Sequence, residues 1–268
     1  MRTIESKASR QHDNVMPSAQ EVARGFFQAR TSYTDSARVQ SMMRFKLLEL
    51  LLQHTDHTEF ERIFEFGAGT GDFSVLLQKN LIYKEFVCND INDHTDVLSR
   101  RLSPASCIKI FDMQTLENLP LSRQHFNLIT SNATLQWLDA SKILPILVRM
   151  IAPNGILLLG SFGTQNLCEV REILGVGLAY VQLDSICGLL QKLGMEILAA
   201  YSEKIQLTFG TANDVFAHLR MSGVNAFSIA NTNRPRYYLT KATLNAYQKR
   251  FEGRLTYEPL YILAQKPI

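Results

Sequence analysis

The sequence predicts an α/β domain in which helices cover both faces of a parallel β-sheet. Five short apolar segments between residues 62 and 160 alternate with segments of helical periodicity, and strands that alternate with helices form parallel sheets. Of the 268 residues, 46% are hydrophobic and 20% are charged. This composition is typical of one sizeable globular domain, and it excludes a disordered or collagen-like chain.

The order of the predicted elements supports this fold class. The first residues are polar and aperiodic, so we expect 1–20 to be flexible and 21–268 to form a single domain. Apolar residues at spacings of three and four predict two N-terminal helices, over 21–33 and 36–54. Strands are predicted at 62–66, 85–89, 107–111, 126–130, 156–160, 196–200 (extending toward 209) and 257–265, with helices at 73–79, 95–102, 141–151 and 183–193 and a turn at 153–155.

The segment before the last strand is longer than a hairpin needs. It contains two helical patterns, at residues 214–221 and 240–251, whereas a hairpin loop takes only a few residues. We therefore expect residues 210–252 to form a helical insertion whose ends return to the sheet. The chain's positive charge is concentrated nearby, because residues 211–268 hold eight Lys or Arg against three Asp or Glu.

The strongest local motif is a glycine-rich loop that follows the first predicted sheet strand and begins a helix. Gly67, Gly69 and Gly71 have the spacing Gly-x-Gly-x-Gly and follow the acidic Glu65. Glycine suits a tight turn and a close approach between backbone and ligand, and the helix N-terminus offers free N–H groups to an anion. A nicotinamide-binding loop has the different spacing Gly-x-Gly-x-x-Gly.

Polar residues also follow the next three strands of the predicted sheet. Asp90 lies 19 residues after Gly71, at a strand end, where its carboxylate can accept hydrogen bonds from two ribose hydroxyls. Asp112 ends the third strand beside Met113, a pair that suits an adenine amine and ring face, and Asn132 follows the fourth strand. Because parallel strands bring their carboxyl ends to one edge, we expect a single ligand site there.

This series of motifs resembles the class I S-adenosylmethionine-dependent methyltransferases over about residues 60–165. The resemblance implies a Rossmann-like seven-stranded sheet with an antiparallel final strand pair, to which this chain adds N-terminal helices and a helical lid before the last strand. It also implies that the glycine loop lies against the methionine part of S-adenosyl-L-methionine, that Asp90 holds the ribose, and that Asp112 and Met113 flank the adenine. The predicted cofactor-binding residues are Glu65, Gly67, Ala68, Gly69, Gly71, Asp90, Ile91, Asp112, Met113 and Asn132.

Further stretches narrow the resemblance to the malonyl-acyl-carrier-protein O-methyltransferases of biotin synthesis. The N-terminal series Phe26, Ala29, Tyr33, Ala37 and Gln40 is similar to that family's opening motif, although residues 28, 30 and 34 depart from it. The motif Ser-Asn-x-x-x-Gln-Trp at 131–137 and the segments 209–225 and 255–261 are also similar. This implies methylation of the free carboxylate of malonyl on a phosphopantetheine arm, with S-adenosyl-L-homocysteine as the second product.

The predicted chemistry needs orientation of the substrate rather than a general base. A carboxylate with a pKa of about 4 is already ionised at neutral pH, and an arginine fork or a tyrosine hydroxyl can orient it. Tyr33 is the best candidate for a residue that closes over the methyl donor, and Trp137 either walls the substrate channel or belongs to the core. The candidates for binding the malonyl carboxylate or the carrier protein are Arg38, Arg220, Arg234 and Arg236.

The basic insertion suggests the partner. Residues 220–254 hold seven Lys or Arg against one acid, and residues 1–46 hold eight against four. An acyl carrier protein is strongly acidic, so such a surface would steer it to the site. We expect no nucleic acid, membrane or metal partner, a monomer, and a cytoplasmic location, since no segment is long and apolar enough to cross a bilayer and the four cysteines suit a reducing compartment.

Two alternatives stay open from the sequence. One is a class I methyltransferase that acts on a free small-molecule carboxylate or a quinone precursor, because the motifs from 63 to 137 alone do not distinguish these substrates. The other is a non-catalytic partner protein that binds S-adenosyl-L-methionine. A nucleic-acid methyltransferase is disfavoured, because no Asn-Pro-Pro-Tyr-type motif follows the fourth strand.

Overall fold

The N-terminal part of the chain forms two helices ahead of the sheet. The computed structural model describes residues 13–14, 17–29, 37–55, 58–223 and 239–268. Strand β1 (Asp13–Asn14) precedes helix α1 (Ala19–Ala29), which begins at a capping box where Ser18 and Glu21 bind each other's backbone N–H. Helix α2 (Arg38–His54) buries one apolar stripe. The predicted flexible segment 1–20 falls largely outside the described residues, as do residues 30–33 of the first predicted helix.

The central part alternates between strands and helices as predicted. Its elements are β2 (Glu59–Phe66), α3 (Asp72–Asn80), β3 (Ile82–Asp90), α4 (Thr95–Arg101), β4 (Ser106–Ile110), β5 (Phe126–Asn132), α5 (Ala140–Met150) and β6 (Ile151–Phe162). Short 3-10 turns at Met113–Asn118, Pro120–Arg123 and Leu135–Trp137 connect some of them. Each predicted strand and helix of this region is present, and most strands extend two or three residues beyond the predicted ends.

The C-terminal part completes the sheet and carries the insertion. Its elements are α6 (Cys168–Leu174), β7 (Val176–Gly177), α7 (Leu183–Lys192), β8 (Glu196–Ser202), β9 (Ile205–Thr208), α8 (Ala212–Met221), α9 (Lys241–Phe251), β10 (Arg254–Tyr257) and β11 (Pro259–Gln265). The sequence did not predict α6. The short strands also pair outside the main sheet, β1 with β7 and β9 with β10.

The main sheet has seven strands in the order β4-β3-β2-β5-β6-β11-β8. The first five strands run parallel, and β11 is antiparallel to both of its neighbours. This confirms the predicted α/β fold, including the antiparallel final pair. The order reverses between β2 and β5, and in open α/β sheets the ligand crevice lies at such a switch, outside the carboxyl ends of the strands.

Three further segments differ from the prediction in how their strands are paired or divided. The segment 153–155 is a bulge inside β6 rather than a turn before it: the pairing with β5 shifts register between Phe126 and Leu128, and Asn154 takes a φ of 60°. The bulge is closed by the C-terminal segment, since Lys266 accepts a hydrogen bond from Asn154 and donates one to Gly155. The strand predicted at 196–200, extending toward 209, is divided into β8 and β9, and the strand predicted at 257–265 is β11, which begins at residue 259. The short strand β10, just before it, pairs with β9 outside the main sheet.

Two apolar layers cover the two faces of the sheet. Successive residues of one strand point to opposite layers, so Ile63 packs with α2 and α3, whereas Phe64 packs with α5 and α7. This burial on both faces explains why β6 and β11 are continuous apolar runs. The described parts of the insertion pack on the first layer, through residues such as Phe216 of α8 and Tyr247 of α9. Residues 224–238 between them lie outside the described residues.

Among the described residues, no helix is both long enough and apolar enough to cross a membrane.

Candidate functional site

A cavity opens at the carboxyl ends of β2, β3, β4 and β5, under α1 and α2. Nine of the ten residues predicted to bind the cofactor line it: Glu65, Gly67, Ala68, Gly69, Asp90, Ile91, Asp112, Met113 and Asn132. The parallel strands bring these residues together although they are spread over 68 positions of sequence. The cavity lies at the switch in strand order. The sequence motifs predicted only that these residues meet at one edge of the sheet.

The glycine loop is shaped by a close contact with the end of β5. Gly67 has a φ of +70°, and a Cβ at this position would lie 1.9 Å from Oγ1 of Thr134. Gly69 also has a positive φ, +54°, but a Cβ there would meet no heavy atom within 4 Å. Glycine is therefore required at 67 by both backbone and space, whereas Gly69 is favoured by its backbone and borders open cavity.

Gly71 has a different role from the other two glycines. It is the residue before the first turn of α3, with a φ of +85°, and it is not among the described residues that line the cavity. A Cβ at Gly71 would lie 2.6 Å from Cδ2 of Leu98 on α4. Its glycine therefore permits the turn and the close packing of α3 against α4.

Asp90 is tied to the glycine loop. Its Oδ2 accepts a hydrogen bond from the backbone N–H of Gly69 at 2.8 Å, and its Oδ1 accepts one from Asn92, also at 2.8 Å. Burial raises the pKa of Asp90, and these backbone hydrogen bonds and the nearby His94 oppose that rise. The carboxylate thus stands at the end of β3, between the loop and the cavity.

Glu65 is a buried acid beside the same cavity. Its side chain is 1% exposed, and its Oε2 has no hydrogen-bond partner. Burial raises the pKa of Glu65 to about 8, opposed by the Ser74 hydroxyl and reinforced by the charge of Asp90. An unpartnered buried carboxyl group is costly, so this site favours a ligand that brings hydrogen-bond donors or positive charge.

The end of β4 supplies a polar and an apolar group side by side. Oδ1 of Asp112 accepts a hydrogen bond from the backbone N–H of Gln114 at 2.9 Å. Asp112 thereby caps the start of a short 3-10 turn. Met113 is 4% exposed, and it lines the cavity together with Phe111. An acid flanked by two apolar side chains can bind a flat ring that carries an amine.

The end of β5 connects the cavity to the N-terminal helices. Nδ2 of Asn132 donates to the carbonyl of Gln40 on α2 at 2.9 Å, which leaves its buried Oδ1 without a partner. Trp137 lines the cavity and also packs edge-on against Phe26 of α1, with ring centroids 5.6 Å apart. Trp137 therefore belongs both to the cavity lining and to an apolar cluster, and its role as the wall of a substrate channel stays a prediction.

The candidates for substrate binding are not brought to the cavity among the described residues. Tyr33, Arg234 and Arg236 lie outside the described residues. Arg38 and Arg220 are exposed and do not line the cavity. The charge of Arg38 acts on His218 of α8, where it adds to burial in lowering the pKa of that histidine.

Several cavity residues were missed from the sequence. Gln40 and Arg44 of α2 line the cavity together with Ala37, the residue before this helix, and His94 and Thr134 line it from the loops after β3 and β5. The spacing of three and four does predict that Ala37, Gln40 and Arg44 share a face. The sequence could not say that this face looks onto the sheet edge, because that depends on how α2 crosses the sheet.

The arrangement can bind a ligand that carries hydrogen-bond donors, a flat ring and a positive charge. Its unpartnered buried atoms beside the cavity include three acceptors, on Glu65, Asn89 and Asn132, and its titratable lining groups include Asp90 and Asp112. Within the part of the chain that the structure describes, no group of three or more His, Cys, Asp or Glu could hold a metal ion.

Comparison with known proteins shows the family to which the chain belongs. The family described as "Methyltransferase domain" matches residues 64–159, the stretch that carries the glycine loop, Asp90 and Asp112. A malonyl-[acyl-carrier protein] O-methyltransferase of Chlorobium luteolum is 30% identical over 242 residues, which cover 88% of this chain and 90% of that protein. The protein of the same name from Porphyromonas gingivalis is 32% identical and covers 91% of this chain and 94% of its own length.

The fold is shared with solved methyltransferase structures. A phosphoethanolamine N-methyltransferase 2 of Haemonchus contortus, solved in complex with S-adenosyl-L-methionine, superposes with a TM-score of 0.54. The match covers 83% of this chain and 52% of that chain at 14% sequence identity. At this identity the likeness extends to the fold alone.

Proposed function

Because the chain belongs to the malonyl-[acyl-carrier protein] O-methyltransferase family, we propose that it methylates the free carboxylate of malonyl carried on an acyl carrier protein. The methyl group comes from S-adenosyl-L-methionine, and the products are the malonyl methyl ester and S-adenosyl-L-homocysteine. The observation that carries this proposal is that the glycine loop, Asp90 and Asp112 meet in one cavity. Relatives of that name match about nine-tenths of both chains.

The polar atoms of the cavity support S-adenosyl-L-methionine as the cofactor. This cofactor supplies a methyl group activated on a positively charged sulfur. The buried Oε2 of Glu65 and Oδ1 of Asn132 lack partners, and the cofactor's ammonium and hydroxyl groups are donors. In this proposal Asp90 accepts hydrogen bonds from the ribose hydroxyls, and Asp112 and Met113 bind the adenine. The loop at Gly67–Gly69 allows the methionine part to approach the backbone.

The chain's own contribution to the reaction is to bring the two reactants together in line. The malonyl carboxylate, with a pKa of about 4, is ionised at neutral pH, so no side chain has to remove a proton. Holding two reactants in a productive geometry supplies up to about 7–11 kcal/mol of the barrier. We assign Tyr33 to closure over the methyl donor, and Arg38, Arg220, Arg234 and Arg236 to the substrate carboxylate and the carrier protein.

The basic insertion supports an acidic protein as the partner. Residues 220–254 hold seven Lys or Arg against one acid, and complementary charge accelerates and directs association. We propose that residues 210–252 act as lid and docking surface. Charge reversal at Arg234 and Arg236 is expected to raise KM for the carrier substrate. The matched control reverses Lys142 and Lys192, which are exposed on α5 and α7, across the sheet from α8 and α9.

An outcome in which both double variants keep the KM of the unaltered protein would contradict docking through the insertion.

The free state of all four cysteines supports a reaction in a reducing compartment, which we take to be the cytoplasm. Methylation removes the charge of the malonyl end, so the product can enter fatty-acid elongation. On this basis we assign the reaction to the start of pimeloyl and biotin synthesis, carried out by a monomer.

The test is transfer of labelled methyl from S-adenosyl-L-methionine to malonyl-acyl carrier protein, with malonyl-coenzyme A and free malonate in parallel. The proposal expects label on the carrier protein that mild base releases, since an ester is base-labile. Comparable activity on free malonate would instead favour a small-molecule methyltransferase. Binding of the methyl donor without transfer to any of the three would favour a non-catalytic partner protein.

A further inference from the structure

Helix α2 presents one positively charged side chain to the cavity. Gln40 and Arg44 lie on one face of the helix, in line with Ala37 just before it, and all three residues line the cavity. Arg44 is the one Lys or Arg among the described residues that do so. Its side chain is 21% exposed, so its charge is partly removed from water and interacts more strongly with a neighbouring anion than a surface charge does.

The carboxylate that pairs with Arg44 is already paired with a second arginine. Nη1 of Arg44 lies 3.4 Å from Oδ2 of Asp72, in the first turn of α3. Nη2 of Arg101 lies much closer to the other oxygen of Asp72, at 2.6 Å, and Nη1 of Arg101 donates to the carbonyl of Thr70 at 2.5 Å. Asp72 therefore neutralises one of two guanidinium groups, and the trio keeps one surplus positive charge.

The location of this surplus charge indicates which anion it binds. Thr70 and Asp72 also line the cavity, close in sequence to Gly67 and Gly69 of the glycine loop. The remaining acids of the cavity, Glu65, Asp90 and Asp112, are at the ends of β2, β3 and β4. Each of these acids repels a carboxylate when it is ionised, although Glu65, with a pKa of about 8, is largely protonated at neutral pH. Arg44, in contrast, attracts a carboxylate.

We propose that Arg44 binds the α-carboxylate of the methyl donor and thereby fixes its amino-acid end beside the glycine loop. This inference rests on the proposed function, since it takes S-adenosyl-L-methionine as the cofactor. The loose contact with Asp72 leaves the guanidinium fork of Arg44 free to turn toward a carboxylate, with which it forms two parallel hydrogen bonds. Arg44 is thus a cofactor-positioning residue that the sequence motifs do not include.

The test compares two ligands that differ only in the carboxylate. S-adenosyl-L-homocysteine carries it, and the decarboxylated analogue S-adenosyl-3-thiopropylamine lacks it. Titration calorimetry measures the Kd of each for the unaltered protein and for Arg44→Gln. Because a hydrogen bond between charged groups is strong, Arg44→Gln is expected to raise the Kd of S-adenosyl-L-homocysteine by about 10- to 100-fold. The analogue is expected to bind within about twofold of its original Kd.

Two further variants separate a contact with the ligand from a structural effect. Arg149→Gln removes an arginine that pairs with Glu117 at 3.0 Å outside the cavity, and it is expected to change neither Kd. Arg44→Lys keeps the charge but not the fork, and we expect it to recover part of the lost affinity. Melting temperatures of all variants identify any that fail to fold.

Two results would overturn the inference. The first is an unchanged Kd for S-adenosyl-L-homocysteine in Arg44→Gln; if the KM for the carrier substrate is raised at the same time, Arg44 is assigned to the malonyl carboxylate instead. The second is an equal loss of affinity for both ligands, which is the signature of a distorted cavity. Failure of the unaltered protein to bind S-adenosyl-L-homocysteine would instead contradict the proposed function itself.

Discussion

Adding a single methyl group at Gly67 tests why the loop requires glycine at this position. Gly67 has a φ of +70°, and a Cβ there would lie 1.9 Å from Oγ1, 2.7 Å from Cβ and 2.7 Å from Cγ2 of Thr134. Two costs therefore add in Gly67→Ala. The left-handed backbone costs a residue with a Cβ about 1–2 kcal/mol, and displacement of the packed Thr134 side chain costs about 1–3 kcal/mol.

The expected loss in the free energy of unfolding is thus roughly 2–5 kcal/mol. For a chain of this size that corresponds to a fall in Tm of roughly 5–15 °C, measured by circular dichroism. Gly194→Ala is the matched control, because Gly194 has a φ of +85° and a Cβ there would meet no heavy atom within 4 Å. It bears the backbone cost alone, so its Tm is expected to fall by roughly 2–6 °C.

A second substitution identifies the clash itself. Thr134→Ala in the Gly67→Ala background removes Oγ1 and Cγ2, two of the three nearest atoms, and is expected to recover about half of the additional loss. The reasoning is refuted if Gly67→Ala loses no more than Gly194→Ala, or if Thr134→Ala recovers nothing. In either case the approach of Thr134 would not be the reason for glycine at position 67.

The remaining predictions concern three acids. Glu65 has a pKa of about 8 in the folded state against its ordinary 4.5. Between pH 4.5 and pH 8 the folded state therefore binds more protons than the unfolded state. The free energy of unfolding should therefore fall as pH rises through this window, and Glu65→Gln should flatten that fall in denaturant titrations. Asp90→Asn should raise the Kd of S-adenosyl-L-homocysteine, measured by calorimetry, by about 10- to 100-fold. Glu169→Gln, which disrupts bonds to the N–H and Oγ1 of Thr256, should cost about 1–3 kcal/mol, whereas Glu172→Gln at an exposed pair should cost about 0–1 kcal/mol.

Each of these expectations has a contradicting result. A pH profile of stability that is the same with and without Glu65 would show that this acid does not titrate in the window. An unchanged Kd in Asp90→Asn would remove Asp90 from the cofactor site. Equal losses in Glu169→Gln and Glu172→Gln would mean that the buried bonds to Thr256 contribute no more than a surface ion pair.

The sheet and the glycine loop could be predicted because their signals are local. Apolar runs mark β2 to β6, and the spacing of Gly67, Gly69 and Gly71 together with an acid after β3 indicates a ligand site at the strand ends. The same locality explains the mistakes. The bulge at Asn154 depends on pairing with Lys266, more than a hundred residues later, and the separation of β9 and β10 from the main sheet depends on their pairing with each other.

The candidate site was predicted where strands position its residues and missed where helix packing does. Asp90 and Asp112 are fixed by the ends of β3 and β4, so their convergence follows from a parallel sheet. Arg44 reaches the cavity only because α2 crosses the sheet edge in one orientation, which helical periodicity does not specify. Gly71 shows the opposite case, because its spacing matches the motif while its contact is with Leu98.

Mass spectrometry of the carrier protein tests the central claim most directly. Malonyl-acyl carrier protein is incubated with S-adenosyl-L-methionine and either the unaltered protein or Asp90→Asn, and the acyl-phosphopantetheine arm is then released and fragmented. The account predicts one added methyl group on the terminal malonyl carboxylate with the unaltered protein, and a strongly reduced yield with Asp90→Asn. A carrier arm that gains no methyl group, from a protein that binds the methyl donor, would contradict it.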